Sequence, residues 1–500
     1  MALSRLNRFV VLCAVSMAGV AAAEVELSPL FREHMVLQQG GKVPVWGRAA
    51  PGEKITVHVL KNKAETTADD TGRWRVELGP LQAGGPVEMV VVGSNVIRVP
   101  DVLIGEVWLC SGQSNMDWPV KRSRNAEEEI DQADQPMIRL FGVDRAVAQE
   151  PQENPIGTWS VCTPGSVKGF SAVAYFFARE LRKKEKVPIG LIQASVGATP
   201  AEAWIGLSAL ERDADLKKIV TDWNASHSRK VRMSGEPAPA GSRTSKPAVD
   251  PDGPRKMPCG LFNGMIHPLI PYRIAGVIWY QGESNAWQAD LYKKLFPALI
   301  RDWRERWGQG DFPFLFVQLP NFGKRVSVPG DGEWARLRES QAAALKLPKT
   351  GMVVTIDIGE ADEIHPKNKQ EVGVRLALTA EALVYGRQVS YIGPVYRSMK
   401  IEGDRAVVVF DCIGNILTTR DNAPLKGFAL AGEDRKFYWA EGTIENNTVV
   451  LRSDKVRKPV AVRYAWADNP DCNLVGVFQL PAGPFRTDDW PIEKTTTNKE

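Results

Sequence analysis

Hydrophobic and polar positions change rhythm three times along the chain. From residue 24 to about 100 the apolar positions come in short alternating runs separated by turns. Residues 43–47 precede a Pro51-Gly52 turn, residues 54–60 carry alternating apolar positions, and residues 70–78 repeat the pattern, with 87–92 a short apolar strand. Strands at this spacing between Gly and Pro turns predict a small β-sandwich over 24–100. From about 102 the period switches between strand and helix. Strands are expected at 104–109, 189–193, 274–280, 314–318 and 352–356. The run 274–280 is almost wholly apolar, as a strand covered on both faces must be. Between them, Asn125 and Glu128 have the spacing of a capping box. Ser171 precedes a helix to 184 with Ala174, Phe177, Ala178 and Leu181 on one side. Helices follow at 291–307 and 336–345, and Asn368 opens one to 384 with Glu371 closing its box and Gly386 at the stop. This alternation predicts an α/β domain over 101–388 with helices on both faces of a sheet. Strands return at 405–410, 448–452 and 460–464, giving a second β module over 389–500. Residues 225–257, rich in Ser, Pro, Gly, Arg and Lys, interrupt the catalytic-size domain as a surface insertion.

The first 23 residues follow none of these patterns. Arg5 and Arg8 precede an apolar run from Phe9 to Val20, too short for a bilayer, and Ala21, Ala22 and Ala23 supply small residues for cleavage. This is the pattern of a signal peptide, with Glu24 as the new amino terminus and a secreted or periplasmic destination. No other stretch is long enough to span a membrane. With 63 Lys and Arg against 59 Asp and Glu, the net charge of +4 leaves no footprint for nucleic acid. Apart from Cys13, the cysteines 110, 162, 259, 412 and 472 lie far apart, without a Cys-x-x-Cys pair. That spacing indicates neither a disulfide framework nor structural zinc. It leaves a Cys412–Cys472 pair open.

Open α/β sheets carry their chemistry at the carboxyl ends of strands. Four segments lie there: Ser111-Gly112-Gln113-Ser114-Asn115-Met116, Ala194-Ser195-Val196-Gly197-Ala198, Tyr280-Gln281-Gly282-Glu283-Ser284-Asn285, and the stretch from Asp357 to His365. An attacking serine needs a base. Of the five histidines (34, 58, 227, 267 and 365) only His365 follows a buried strand with a carboxylate, Asp362, at an offset that lets it hold the ring. Asp357 and Glu360 lie in the same loop, but one histidine without a second ligand cluster does not make a metal site. Ser114 beside Gly and Asn has a plain alternative as a turn cap. Its surroundings also break the Gly-x-Ser-x-Gly elbow, because Met116 stands at the last glycine, which disfavours the α/β-hydrolase fold.

Taken together, the stretch Gly105–Met116, the stretch Trp279–Asn285 and the late Asp-x-x-His resemble the sialate O-acetylesterase family of the SGNH (GDSL-like) hydrolases. The resemblance extends to the leading β domain, the stretch Asn263–Leu269 and the closing Pro481–Asp488. It implies a flavodoxin-like three-layer α/β/α catalytic domain flanked by amino- and carboxyl-terminal β modules. It also implies Ser114 as nucleophile, Asp362 and His365 as triad partners, and Gly197 as an oxyanion donor beside the Ser114 N–H. Many members of the superfamily have Gly-x-Asn-Asp in the third block, where this chain has Gln281 to Asn285. Gln281, directly after the strand, is the first choice for the amide donor and Asn285 the second. Trp118 and Trp204, each near a site loop, are candidate sugar contacts, with Glu283 in the pocket. The implied reaction is hydrolysis of O-acetyl esters on a sugar or glycan, O-acetyl sialic acid first, with no metal and no organic cofactor. The competing readings are an acetyl xylan esterase and a non-catalytic carbohydrate-binding protein.

Overall fold

A computed structural model of the chain describes residues 24–234 and 254–491. The signal-peptide expectation and most of the 225–257 insertion fall outside them. The central feature is a strand of unusual length, β1 (Val96–Gly112), which belongs to two sheets at once. Its first half pairs antiparallel with Gly84–Val92 in the amino-terminal β module. Its second half is buried throughout and runs parallel to strands on both sides. The expected boundary at 100/101 therefore lies inside one continuous strand.

The catalytic-size sheet contains β1, β2 (Gln135–Val143), β3 (Gly157–Cys162), β4 (Ile189–Ser195), β5 (Gly276–Tyr280), β6 (Phe314–Val317) and β7 (Thr350–Val353). Their order across the sheet is β3-β2-β4-β1-β5-β6-β7. All neighbours are parallel except the β3/β2 pair at the edge. The chain starts inside the sheet at β1, winds to one side, and returns to the other side at β5. The gap between the carboxyl ends of β4, β1 and β5 is thus the place where such a sheet opens a crevice. The fold is α/β with flanking β modules, as the hydrophobic rhythm implied.

Among the helices are α1 (Ser114–Asp117), α2 (Ala172–Glu185), α3 (Ala214–Ser234), α4 (Ala289–Trp307), α5 (Glu333–Ala342) and α6 (Lys369–Leu383). Helices α2 and α6 pack together over one face, where Trp108 of β1 meets Phe177 edge-on at 4.9 Å. A methyl group at Gly373 of α6 would lie 2.6 Å from Phe176, so the two helices approach through that glycine. Helix α4 covers the opposite face, with Phe296 5.0 Å from Phe316 and 6.2 Å from Trp279. The caps were partly legible. Ser171 Oγ accepts from the Ala174 N–H at 3.2 Å, and Asn368 Oδ1 accepts from Glu371 N–H at 3.2 Å. Glu371 does not close a box, because its carboxylate is taken by Arg375 at 2.9 Å. Asn125 makes no side-chain cap either; it sits in the left-handed region with φ 52°, which asparagine tolerates.

The carboxyl-terminal module contains two four-stranded sheets. One is built on Val395–Glu402, Arg405–Asp411 and Thr448–Arg452, the other on Phe428–Ala431 and Ala461–Tyr464. Phe410, Leu430, Val449 and Tyr464 fill its own core. It is fastened to the loop after β7 by Asp357, which accepts from both terminal nitrogens of Arg375 at 2.7 and 2.8 Å and from Arg420 at 2.7 Å. All five described cysteines are free thiols, so Cys412 and Cys472 are not joined.

Candidate active site

β1 ends at Gly112, and α1 begins two residues later with Ser114. Gly112 has φ 138°, and a Cβ there would lie 2.2 Å from the Tyr280 carbonyl oxygen, so a side chain is excluded by the neighbouring strand. Gln113 N–H donates to the same carbonyl at 3.0 Å. These contacts lift Ser114 onto the first position of a one-turn helix, half-exposed at the crevice. Asp117 locks the far end of that turn. It accepts from Gln193 Nε2 at 3.2 Å, from Ser195 Oγ at 3.1 Å and from Arg145 at 2.6 Å.

Gly197 lies in the loop after β4, opposite Ser114. A methyl at Gly197 would stand 3.4 Å from Ser114 Cβ, so the loop backbone forms one wall beside Ser114. The Gly197 N–H makes no hydrogen bond among the described residues. From the other side comes the loop after β7. Asn115 Nδ2 donates to the Ile364 carbonyl at 3.0 Å, and the imidazole of His365 stacks on Trp118 with 4.9 Å between centroids. The structure thus brings Ser114, Gly197, Trp118 and His365 to one crevice. Burial holds the His365 imidazole below its ordinary value; Glu363 opposes this, while Lys369 and Arg122 add to it. Two other histidines are occupied elsewhere: His34 meets Asp101 at 2.6 Å, and His267 faces the Gln152 carbonyl at 2.9 Å.

Asp362 stands on the exposed side of its loop and makes no hydrogen bond to His365 among the described residues. Glu360 and Glu363 form an isolated bridge in this loop, and the next carboxylate, Glu363, is the one that reaches the ring. Glu363 Oε1 accepts from the His365 backbone N–H at 2.9 Å and meets Nδ1 at 3.1 Å. The same bonds hold the Glu363 carboxyl below its usual value. With Nδ1 as donor, Nε2 is left as the basic nitrogen.

The two amides expected in the oxyanion role are both committed to each other. Gln281 Nε2 donates to Asn285 Oδ1 at 2.7 Å and to the Thr199 carbonyl at 3.3 Å, while its Oε1 accepts from Tyr292 at 3.0 Å. Asn285 Nδ2 donates to Glu202 at 2.9 Å, and its Oδ1 also accepts from Ala201 N–H at 2.9 Å. These bonds brace the loops after β4 and β5. Gln113 was not among the expected residues. Its Oε1 accepts from the N–H groups of Ser284 at 3.2 Å and Gly282 at 3.4 Å, which fixes the amide and leaves its NH₂ without a protein partner among the described residues. Trp204 is fully buried, with Nε1 on Thr199 Oγ1 at 3.0 Å, and belongs to the core rather than to a sugar site. Glu283 lies behind the Ser114 turn, bonded through Oε1 to Asn115, and burial raises its carboxyl above the ordinary range. Beside the crevice, Ala198 and Ser284 open onto a cavity of about 960 Å³ walled by Trp287, Leu291, Ile219 and Trp223.

Among the described residues no three His, Cys, Asp or Glu side chains are placed to hold a metal, and no helix is long and apolar enough to cross a membrane. Comparison with known proteins decides the family. The model of the carbohydrate esterase family described as sialic acid-specific acetylesterase matches residues 104–232 and 263–382. The sialate O-acetylesterase of Homo sapiens is 32% identical over 501 residues, covering 90% of each chain. The chain belongs to the sialic acid-specific acetylesterase family of carbohydrate esterases. The sialate O-acetylesterase of Mus musculus is also 32% identical, over 90% of this chain and 92% of its own. A carbohydrate acetylesterase from Xanthomonas citri of known structure superposes with a TM-score of 0.83 at 38% identity, covering 93% of this chain and all of that one. As a member of this acetylesterase family the protein is a carboxylic ester hydrolase, and the four strand-end segments that form the crevice all lie within the matched residues.

Proposed function

We propose that the protein is an exported serine esterase that removes O-acetyl groups from sugars, with O-acetyl sialic acid as its substrate. The observation that carries the mechanism is the union of the Ser114 turn with the His365 loop, through the Asn115–Ile364 bond and the Trp118–His365 stack. Ser114 Oγ attacks the acetyl carbonyl, and His365 Nε2 takes its proton. The carboxylate on Nδ1, Glu363 in this geometry rather than the expected Asp362, holds the ring and its tautomer. The N–H groups of Ser114 and Gly197 and the open NH₂ of Gln113 face the developing oxyanion. The C–O bond to the sugar breaks as His365 returns the proton to the sugar oxygen. Water then attacks the acetyl carbonyl and gives a proton to His365, and His365 passes that proton to Ser114 Oγ as the acyl–oxygen bond breaks and acetate leaves. The sialate O-acetylesterases among the relatives support the substrate, as does the Arg122 guanidinium 5.5 Å over the Trp118 ring, a cation beside the crevice that a sugar carboxylate could pair with.

A second reading, deacetylation of a neutral polysaccharide such as xylan, is favoured by the adjoining cavity. Trp287 on its wall is 69% exposed, and the lysines there are already paired, Lys218 with Asp222 at 2.6 Å and Lys294 with Asp215 at 2.5 Å. Acetate release measured in parallel from O-acetyl sialic acid and from acetylated xylan fragments separates the two. Higher kcat/KM on the sialic acid, with Arg122→Ala raising KM on that substrate alone, supports the first reading; the opposite preference overturns it. Export is tested by mass spectrometry of the mature protein, which is expected to start at or near Glu24.

A further inference from the structure

Directly behind Ser114, three polar side chains from three separate segments of the chain form one hydrogen-bonded line. Lys369 Nζ donates to Asn115 Oδ1, and Asn115 Nδ2 donates to Glu283 Oε1 and to the Ile364 carbonyl. Asn115 adjoins Ser114, Ile364 adjoins His365, and Glu283 belongs to the loop after β5. Lys369 and Asn115 are fully buried. The ammonium also lies 5.5 Å from the Tyr280 ring and 5.8 Å from the Trp118 ring that carries the imidazole.

The position of the lysine works against local stability. Lys369 is the first residue of α6, at the end of a helix where the dipole disfavours a cation. Burial is a second cost, and it draws the ammonium down to about 7. Glu283 Oε2 has no partner among the described residues, so the carboxylate is not fully satisfied either. A residue that breaks both rules in one place marks a functional constraint more often than a packing solution. Here the constraint is visible, since the lysine reaches the nucleophile segment and the base segment through one amide.

We propose that Lys369 is a positioning residue of the esterase, setting the spacing of Ser114 and His365 through Asn115. The inference rests on the serine mechanism given above. The groups that face His365 are Glu363 and Lys369 from its own segment and Arg122 from the loop after α1. Those that face Lys369 are Glu283, Glu360 and Glu363. Removing the lysine takes a positive charge away from the imidazole, so the imidazolium becomes easier to form.

Steady-state kinetics on an aryl acetate, from pH 5 to 9, test this with Lys369→Met, Asn115→Leu and the double variant, each checked for fold by circular dichroism. Each single variant is expected to lower kcat about 10- to 100-fold with KM changed less than about threefold. The double variant should be no slower than the slower single one, because both act through the same link. Lys369→Met should also move the acid limb of kcat/KM to higher pH. Wild-type kcat in folded Lys369→Met, additive losses in the double variant, or an unmoved acid limb would each overturn the proposal. If Lys369→Met does not fold, Asn115→Leu carries the test alone, and unchanged kcat there is the overturning result. Ser114→Ala run beside them separates the two levels: activity in that variant refutes the serine mechanism itself, whereas its loss leaves the lysine proposal to be judged on the other variants.

Discussion

The indole of Trp118 and the imidazole of His365 are stacked, 15° from parallel with centroids 4.9 Å apart. The indole is pinned at its other edge, where Nε1 donates to the Arg122 carbonyl at 3.0 Å. Trp118 was singled out in the sequence for contact with sugar, yet in the fold it first supports the base. Aromatic stacking of this kind contributes about 0.5–1.5 kcal/mol, or about two- to tenfold in rate if all of it is lost. Trp118→Ala should therefore lower kcat by that factor even on an aryl acetate, which has no sugar. A loss confined to sugar substrates would return the tryptophan to a purely binding role.

The carboxylate that orients the base can be identified by paired variants. Glu363→Gln should reduce kcat at least about tenfold, because the ring loses its ionised acceptor. Asp362→Asn should remain within about twofold of the parent. The reverse order of effects, measured under saturating aryl acetate, gives the role to Asp362.

The amide donor is tested in the same way. Gln113→Ala should lower kcat by about 10²–10³ with little change in KM, as removal of one oxyanion donor does. Gln281→Ala should instead show itself in thermal stability, since its amide braces Thr199, Asn285 and Tyr292. If Gln281→Ala keeps its melting temperature and loses turnover, the assignment is wrong.

The pH dependence has a definite sign. The base must be neutral, and burial lowers the His365 imidazole from the ordinary value of about 6.5. Activity is therefore expected to rise with pH through a midpoint below that value. A kcat/KM profile with its acid limb above 6.5 would contradict the burial seen at this ring.

Stability should depend strongly on Asp357. Arg375 is almost fully buried and is held by this carboxylate together with Glu371. Asp357→Ala takes the carboxylate from both terminal nitrogens of the buried guanidinium and leaves Glu371 as its one carboxylate, at a cost of about 3–5 kcal/mol. Urea unfolding of the variant measures it, and a change under about 1 kcal/mol would show that Glu371 compensates alone.

What the sequence disclosed follows from the range of each interaction. The strands at the core of the sheet were legible because Gly276–Tyr280 and Phe314–Val317 are buried on both faces and must be apolar throughout. The caps at Ser171 and Asn368 were legible because their bonds close within three residues. The failures involve direction. Trp204 adjoins a site loop in sequence, but its ring turns into the core; Gln281 ends a strand as expected, but Asn285 and Tyr292 decide where its amide points. Asp362 and Glu363 differ by one position, and spacing alone does not tell which of them meets the His365 ring, as Glu363 does. The Lys369–Asn115 bond joins residues 254 apart. Its only local trace was a lysine in the first turn of a helix, where a cation is out of place.

The strand that delivers Ser114 begins as a rung of the amino-terminal module and ends at the nucleophile, without a linker between. The leading module is consequently spliced to the crevice rather than tethered beside it. Any swing of one against the other would tear a hydrogen-bonded ladder. Whatever surface the leading module rests on, the attacking hydroxyl keeps a fixed bearing to that surface, as a blade does to its handle.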